Sequence, residues 1–523
     1  MSQDSDSDSD CSRQVTIRSP EDAAALDCRT LTGDIIIPTD ATGDLVIESL
    51  VQLEGRILNV QCRPDPSDCP SQDVTSLSLP NLEIISDYSL LDSDDRLEFH
   101  LANMPALRTI DLPHLYNTGS FKLVNLPSLE TVSIGNQGTY ESVILENLPS
   151  LLSVDFAAEA DEAYIFGELH ISDVGLYNLS FFEKISGAYE AFTIDGIPNV
   201  DEANIYSISA TWGSTWSFSG NGNVTVTVGM TKEWLEKNDY DKEVDGLWPN
   251  VTFSGLGNLA KADCSRNMTV LEGESLHLTD NNFAELDLFW NEMGSLYIEN
   301  NPKLEKLVFP DYPYPEGCVD DCINEYCDPY GTLEWTYNTS LPSDWKMEEL
   351  VIRGNPLLNL SHSSWTTRAE GMDVTKEWIW RNGTMRTLIL DGMVYNSFFD
   401  PLKAHYLADS SSSCWDCDPS VGFHVTDLVE VRSTVQGFDC GPVQELRELD
   451  VFQGEFTCEV VVANSDGGGD GSGDGDSDDV GEDDDNDDDG SEGGGDRDSA
   501  GIRLDFGGAL VGLTFVSLIF VRL

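Results

Sequence analysis

The chain has 523 residues, of which 40% are hydrophobic, and 94 acidic side chains against 28 basic ones give it a net charge of −66. A chain of this length is too long to fold around a single compact core, so we expect either two domains or one elongated array with tails. The negative charge repels phosphate backbones, which excludes nucleic acid as a partner, and it attracts cations or basic proteins instead.

Residues 1–10, MSQDSDSDSD, are predicted to form a disordered acidic N-terminus. They contain neither the basic n-region nor the apolar h-region of a signal peptide, so no signal peptide is visible in this sequence. Because the rest of the chain carries marks of secretion, we expect the written start to be incomplete. The alternative is a cytosolic protein whose C-terminal apolar run is a tail anchor.

Residues 11–256 alternate short apolar runs with turns rich in Asn, Pro and Gly. An Asn-apolar-Pro-x-Leu cluster begins at Asn103, Asn125 and Asn147, a pitch of 22 residues. β-Branched residues or Leu occupy every second position of most runs, which predicts strands with one buried face. The repeat therefore predicts a β-solenoid, and we expect the three asparagines to stack into a ladder that satisfies turn backbone groups rather than to bind a ligand.

Residues 257–400 restart this pattern less regularly and are predicted to form a second solenoid lobe. Asn301 and Asn355 begin shortened forms of the cluster. Residues 401–463 hold four cysteines and are predicted to cap the open end of the solenoid, which would otherwise expose its core and a sheet edge. Residues 464–498, rich in Asp and Gly, are predicted to be a disordered, self-repelling stalk with weak cation association.

Residues 499–523 have the layout of a GPI-attachment signal: small residues, a short polar spacer, then an apolar run over 506–521. At about 1.5 Å per residue this run reaches roughly 24 Å, which is short for a full membrane span. Ser499 is the predicted attachment residue, with Asp498 and Gly495 as alternatives. The tail would then be removed and replaced by a lipid that holds the protein to the plasma membrane.

Twelve cysteines and seven Asn-x-Ser/Thr sequons together favour an oxidising, glycosylating secretory route. Cys62 and Cys69 are one candidate disulfide pair. Zinc binding by the cysteine clusters at 318–327 and 414–417 is the alternative, but a secreted chain favours disulfides. The predicted N-glycosylation sites are Asn178, Asn223, Asn250, Asn267, Asn338, Asn359 and Asn382.

The opening CSRQVTIRSPEDAAALDCRTLTGDIIIP resembles the start of receptor L-domain-like repeats. With the NLPSLETVSI-type coils, the NNP turns and the GPI-like end, the chain resembles the fungal Ecm-type GPI-anchored cell-wall organisation glycoproteins over about residues 11–400. The resemblance implies a non-enzymatic surface glycoprotein of the plasma membrane or wall that is needed for wall integrity. It also implies a first disulfide between Cys11 and Cys28.

The sequence contains little that indicates catalysis, metal binding or a specific ligand site. The seven histidines are scattered, and neither HExxH nor G-x-S-x-G occurs, so we assign no catalytic residue, metal or cofactor and predict no enzyme. All eleven tryptophans lie between residues 212 and 415. Their rings would either stack on sugars or fill the core of the second lobe, and we favour the core. The candidate glycan contacts are Trp212, Trp216, Trp378 and Trp380.

The sequence thus predicts a mainly β protein: a right-handed, disulfide-capped β-solenoid of the receptor L-domain or leucine-rich-repeat-like type, in two lobes. The predicted function is non-catalytic cell-wall organisation at the extracellular face of the plasma membrane or in the wall, through contacts with wall polysaccharide or wall proteins. A polysaccharide-binding adhesin or surface receptor is the main alternative. A carbohydrate-active enzyme on a β-helix is a distant one.

Overall fold

The strands and helices come from a computed structural model, which describes a discontinuous set of residues between positions 11 and 461. The described residues are 11–59, 73–86, 98–135, 139–156, 163–180, 185–186, 191–205, 215–228, 247–248, 250–261, 268–270, 274–287, 290–292, 294–308, 347–361, 383–400, 402–403 and 423–461. The predicted stalk, the Ser499 attachment site, and the Cys62 and Cys69 pair lie outside them.

Almost all regular structure in these residues is β. The strands, in chain order, are β1 (Val15–Thr16), β2 (Thr30–Thr32), β3 (Ile35–Ile37), β4 (Thr42–Val46), β5 (Gln52–Glu54), β6 (Ile57–Asn59), β7 (Asp73–Ser78), β8 (Ile84–Ser86), β9 (Phe99–Ala102), β10 (Thr109–Leu112), β11 (Asn117–Val124), β12 (Thr131–Ile134), β13 (Thr139–Leu148), β14 (Ser153–Phe156), β15 (Ala163–Val174), β16 (Ile185–Ser186), β17 (Ala191–Asp195), β18 (Glu202–Ile205), β19 (Thr215–Ser219), β20 (Thr225–Val228), β21 (Leu247–Trp248), β22 (Asn250–Ser254), β23 (Asn258–Lys261), β24 (Met268–Val270), β25 (Ser275–Thr279), β26 (Glu285–Asp287), β27 (Trp290–Glu292), β28 (Ser295–Glu299), β29 (Lys306–Val308), β30 (Glu349–Leu360), β31 (Gly383–Val394), β32 (Phe423–Ser433) and β33 (Glu455–Val460). The helices are α1 (Pro20–Ala25), a 3₁₀ turn (Asn396–Phe399) and α2 (Gly441–Glu448).

The strands of successive coils pair in parallel, as a β-solenoid requires. β11 pairs with β13 with Phe121 opposite Val143, and β10 pairs with β12 with Ile110 opposite Val132, so both registers keep the 22-residue pitch of the sequence. The pairings build a 20-stranded parallel sheet, here called the long sheet, and a separate five-stranded sheet of β4, β7, β10, β12 and β14. The mainly β, parallel, solenoid-like architecture predicted from the repeat is therefore confirmed.

The alternation of the sequence places every second residue of a strand in one continuous apolar core. In β11 the side chains of Phe121 and Leu123 are fully buried, while Lys122 between them faces outward. Phe121 stacks on Phe99 of the previous coil with ring centroids 4.8 Å apart. Because each coil buries its apolar face on its neighbours, each large side chain in the core contributes about 1.5–3 kcal/mol of burial free energy.

The turns that follow a subset of the strands of the long sheet explain why the sequence cluster begins with Asn. Asn103, Asn125 and Asn147 have φ of 57°, 52° and 52°, and the paired strands before them place them at equivalent positions of successive coils. A left-handed backbone costs most residues about 1–2 kcal/mol but is tolerated by Asn, Asp and Gly. The same column continues through Asp173, Gly196, Gly220, Gly255, Asp280, Asn300 and Gly354, and all of these except Gly220 have positive φ.

A disulfide secures each end of the described solenoid. Cys11 bonds to Cys28 around α1, which confirms the pairing that the resemblance implied. Ser19 caps α1 by accepting a hydrogen bond from the Asp22 backbone N–H at 3.3 Å. At the other end Cys440, at the start of α2, bonds to Cys458 in β33.

The predicted boundary between two lobes does not interrupt the long sheet. β22 lies before residue 256 and β25 lies after it, yet the two strands pair in register, with Val251 opposite Leu276. The predicted cap at 401–463 likewise contributes β32 and β33 to the same sheet in addition to α2. All described residues belong to one compact unit.

Removing the first disulfide by Cys11→Ser with Cys28→Ser is expected to destabilise the protein by about 3 kcal/mol, because a bond across 17 residues restricts the unfolded chain. The shift of the unfolding midpoint in urea measures it. Treating the wild type with a reductant is the matched control, since it should shift the midpoint at least as far. An unchanged midpoint in the double variant would contradict the role of the bond as an end staple.

Candidate functional site

Two predicted glycosylation sites are exposed in turns. Asn178 is solvent-exposed, and its Oδ1 accepts hydrogen bonds from the backbone N–H of Ser180 at 3.2 Å and from the Ser180 hydroxyl at 2.7 Å. Asn223 is also exposed, in the turn that leads into β20. Both side chains can therefore carry a glycan without disturbing the core, as surface sequons require.

Two other predicted sites lie within strands and are half-buried. The Oδ1 of Asn250 accepts hydrogen bonds from the backbone N–H and the hydroxyl of Ser275, at 3.0 and 2.8 Å, on the next strand of the long sheet. Asn359 lies in β30 with a buried Oδ1. A glycan at these two positions has less room than at Asn178. The remaining predicted sites, Asn267, Asn338 and Asn382, lie outside the described residues.

Trp216 is not a surface contact for a glycan. Its side chain is only 2% exposed and packs in the core beside Phe192 of the previous coil, with ring centroids 5.9 Å apart. Trp216 lies on β19 at a position whose equivalents, Phe192 and Val251, are also core residues. The assignment of Trp216 as a candidate glycan contact is therefore wrong, and its ring lies in the apolar core of the solenoid. Trp212, Trp378 and Trp380 lie outside the described residues.

An aromatic pair does lie on the outer face of the long sheet. The rings of His277 and Tyr297, on neighbouring strands, stack with centroids 4.2 Å apart and planes 3° apart. Because they stack along the direction in which the coils succeed one another, their edges rather than their faces meet the solvent. Burial lowers the pKa of His277. Burial and then the hydrogen bond to Glu349 raise the pKa of Tyr297, so the ring edges carry a neutral imidazole and a protonated phenol at neutral pH.

Carboxylates near this pair are held by arginine. Arg386 lies 3.1 Å from Glu348 and 3.0 Å from Glu349, and Arg353 pairs with Glu299 on the same face. Within the residues that the structure describes, no three His, Cys, Asp or Glu side chains are grouped closely enough to hold a metal ion. We assign no acid–base pair to this face.

The predicted asparagine ladder is present at the turns of the first coils. The Asn125 Nδ2 donates to the Asn103 Oδ1 at 3.1 Å, and the Asn147 Nδ2 donates to the Asn125 Oδ1. These three residues are here called the outer ladder. Its hydrogen bonds join side chain to side chain, whereas the repeat predicted bonds from side chain to turn backbone.

A second ladder, of buried asparagines, does satisfy the turn backbone. It consists of Asn281, Asn301 and Asn355, at most 1% exposed, and is here called the inner ladder. The Asn301 Oδ1 accepts from the Asn281 N–H at 2.8 Å, and the Asn355 Oδ1 accepts from the Asn301 N–H at 2.9 Å. Asn281 was missed from the sequence. Its signal in the sequence is an Asp, Asn or Gly directly before the Asn, as in Asp280–Asn281, Asn300–Asn301 and Gly354–Asn355. The first residue of each pair has a positive φ.

The outer ladder ends at a groove on the same turn edge. The groove has a volume of about 470 Å³ and is lined by residues of four successive coils, from Asn147 to Asn221. Here it is called the ladder-end groove. Asp173 and Gly196 follow Asn147 in the column of positive-φ residues, so along the groove the amide side chain is followed by a carboxylate of the same size and then by a position without a side chain.

Comparisons of the chain with protein-family models, with curated proteins and with solved structures found no match. Among the described helices, none has the length and apolarity needed to cross a membrane.

Proposed function

We propose that this protein is a non-catalytic, GPI-anchored surface glycoprotein that contributes to fungal cell-wall organisation and integrity. In this proposal the fold is a right-handed solenoid of receptor L-domain type in two lobes. The GPI lipid holds it to the plasma membrane, and its turns and outer faces contact wall polysaccharide or wall proteins.

The observation that carries the proposal is the pair of disulfides at the two ends of the described solenoid, Cys11–Cys28 and Cys440–Cys458. Disulfides of this kind form and persist in secreted and cell-surface proteins and are rare in the cytosol. The exposed sequons at Asn178 and Asn223 support the same route. The long parallel array, whose strands are stacked about 4.8 Å apart, offers an extended contact surface of the kind that solenoid proteins use for binding.

Treating intact cells with phosphatidylinositol-specific phospholipase C tests the anchor. We expect the lipase to release the full-length protein, and N-glycosidase to reduce its apparent mass. Asn178→Gln and Asn223→Gln should each remove one glycan. Asn258→Gln is the matched control, because Asn258 is exposed but is followed by Leu and Ala and so forms no sequon. An unglycosylated protein that stays with internal membranes would overturn the proposal and indicate a tail-anchored cytosolic solenoid.

A polysaccharide-binding adhesin or surface receptor is the second candidate function. The ladder-end groove favours it, because a volume of about 470 Å³ lies within the range of about 300–1,000 Å³ that is typical of small-ligand sites.

A further inference from the structure

We propose that the ladder-end groove binds a neutral oligosaccharide, whose hydroxyl groups donate hydrogen bonds to the Asn147 Oδ1 and the Asp173 carboxylate. This inference deepens the proposed function, since it names the class of polysaccharide and the side chains that contact it. It rests on that function only for its biological setting. Binding itself is measured with purified protein, so the two proposals can fail separately.

The hydrogen bonds of the outer ladder all run in one direction. In each pair the later asparagine donates its Nδ2 to the Oδ1 of the earlier one, from Asn125 to Asn103 and from Asn147 to Asn125. The Oδ1 of Asn147 is therefore left to accept a hydrogen bond from the next coil. In that coil the equivalent residue is Asp173.

Asp173 cannot continue the ladder, because an ionised carboxylate accepts hydrogen bonds and donates none. Within the described part of the chain, neither its carboxylate nor the Asn147 Oδ1 accepts a hydrogen bond from a protein donor. The Asp173 Oδ1 points along the column toward the following coil, where it lies 2.4 Å from the position that a Cβ on Gly196 would occupy. Acceptors from two successive coils thus meet at the groove with no donor between them.

The shape of the groove follows from glycine at positions where other coils have larger residues. Gly175 occupies the turn position that Pro149 and Pro198 occupy in the coils on either side, and both prolines are exposed. A Cβ on Gly175 would lie 2.1 Å from the Pro149 carbonyl oxygen, so the backbone itself forms the wall there. The four rungs that line the groove are about 4.8 Å apart, which gives it a length of roughly 14 Å.

Hydroxyl-rich, uncharged ligands fit these features best. Asn147 and Asp173 are exposed, so sugar hydroxyls can donate to their oxygens in place of water, and the exposed prolines offer apolar contact for the C–H faces of a sugar ring. The net charge of −66 and the Asp173 carboxylate repel phosphates and acidic sugars. A bare calcium ion takes six to eight oxygens in a close shell, whereas this groove is wide and has one carboxylate among its lining residues.

Asp173→Asn is the decisive variant. Asn tolerates the positive φ of 53° at this position, and its Nδ2 can donate to the Asn147 Oδ1, which would extend the outer ladder by one rung. Asp173→Asn therefore removes the carboxylate that accepts from the ligand, and its new amide donates to the Asn147 Oδ1, which is then no longer free for the ligand. The side chain keeps its size. Asp201→Asn is the matched control, because it removes the same charge from an exposed position after the neighbouring turn.

Isothermal titration calorimetry of the purified full-length chain in detergent would use a β-1,3-glucan hexasaccharide, chitohexaose and mannohexaose as probes, with calcium chloride alone for comparison. We expect at least one oligosaccharide to bind the wild type and Asp201→Asn equally. Loss of a hydrogen bond to a charged group should weaken binding to Asp173→Asn by about 10-fold or more.

Three outcomes would overturn the inference: binding of none of the three oligosaccharides, equal affinity for Asp173→Asn and the wild type, or binding of calcium alone that is lost in Asp173→Asn. The last would reassign the groove as a cation site. The unfolding midpoint of Asp173→Asn should equal or exceed that of the wild type, so that weaker binding is not explained by unfolding. Failure of the lipase to release the protein from cells would overturn the anchored function and leave this result standing.

Discussion

Asn301→Ala is expected to lower the free energy of unfolding by about 3–5 kcal/mol, a large part of the stability of a typical domain. Asn301 is fully buried, and its Nδ2 donates to the Leu278 carbonyl at 2.9 Å while its Oδ1 accepts from the Asn281 N–H. Alanine would leave both backbone groups buried without partners, and each such group costs about 1–3 kcal/mol. Urea denaturation followed by circular dichroism measures the loss.

Asn258→Ala is the matched control for this experiment. Asn258 begins β23 and is exposed, and its substitution should change the free energy of unfolding by less than about 0.5 kcal/mol. If Asn301→Ala and Asn258→Ala unfold at the same urea concentration, the inner ladder does not hold the later coils together.

Trp216→Ala is expected to destabilise the protein by about 3–5 kcal/mol, because it opens a cavity in the core where neighbouring coils contribute Phe192 and Val251. The same urea experiment measures this loss. Trp216→Phe keeps an aromatic ring in the cavity and should cost clearly less.

The pair of Trp216 variants also separates the core position from a glycan contact. A glycan contact would lose sugar binding on Trp216→Ala while the urea midpoint stayed at the wild-type value. A core residue shifts the midpoint in proportion to the volume removed, so Trp216→Ala should unfold before Trp216→Phe. An unchanged midpoint in Trp216→Ala would contradict the core assignment.

The sequence alone determined the solenoid, because its causes are local. A strand with one buried face needs an apolar residue at every second position, and the 22-residue recurrence of Asn103, Asn125 and Asn147 fixes which strands pair. The first position of the turn has a left-handed backbone conformation, which favours Asn, Asp or Gly there. The recurrence of these residue types makes the repeat recognisable in the sequence. The cysteines at the two ends marked the caps, and the resemblance gave the Cys11–Cys28 pair.

The tertiary structure alone decided how these local elements use their side chains. Asn281 is hydrogen-bonded to Asn301, 20 positions away, and Asn301 is hydrogen-bonded to Asn355, 54 positions away. The inner ladder therefore depends on which residues the long intervening segments bring opposite each other in successive coils. The burial of Trp216 depends on the previous coil, and the ladder-end groove lies where Asp173 and Gly196 follow Asn147 in space and where Gly175 lies between two coils with proline. Periodicity specifies which face a residue takes, but hydrogen-bond partners and cavities depend on what the neighbouring coil places opposite it.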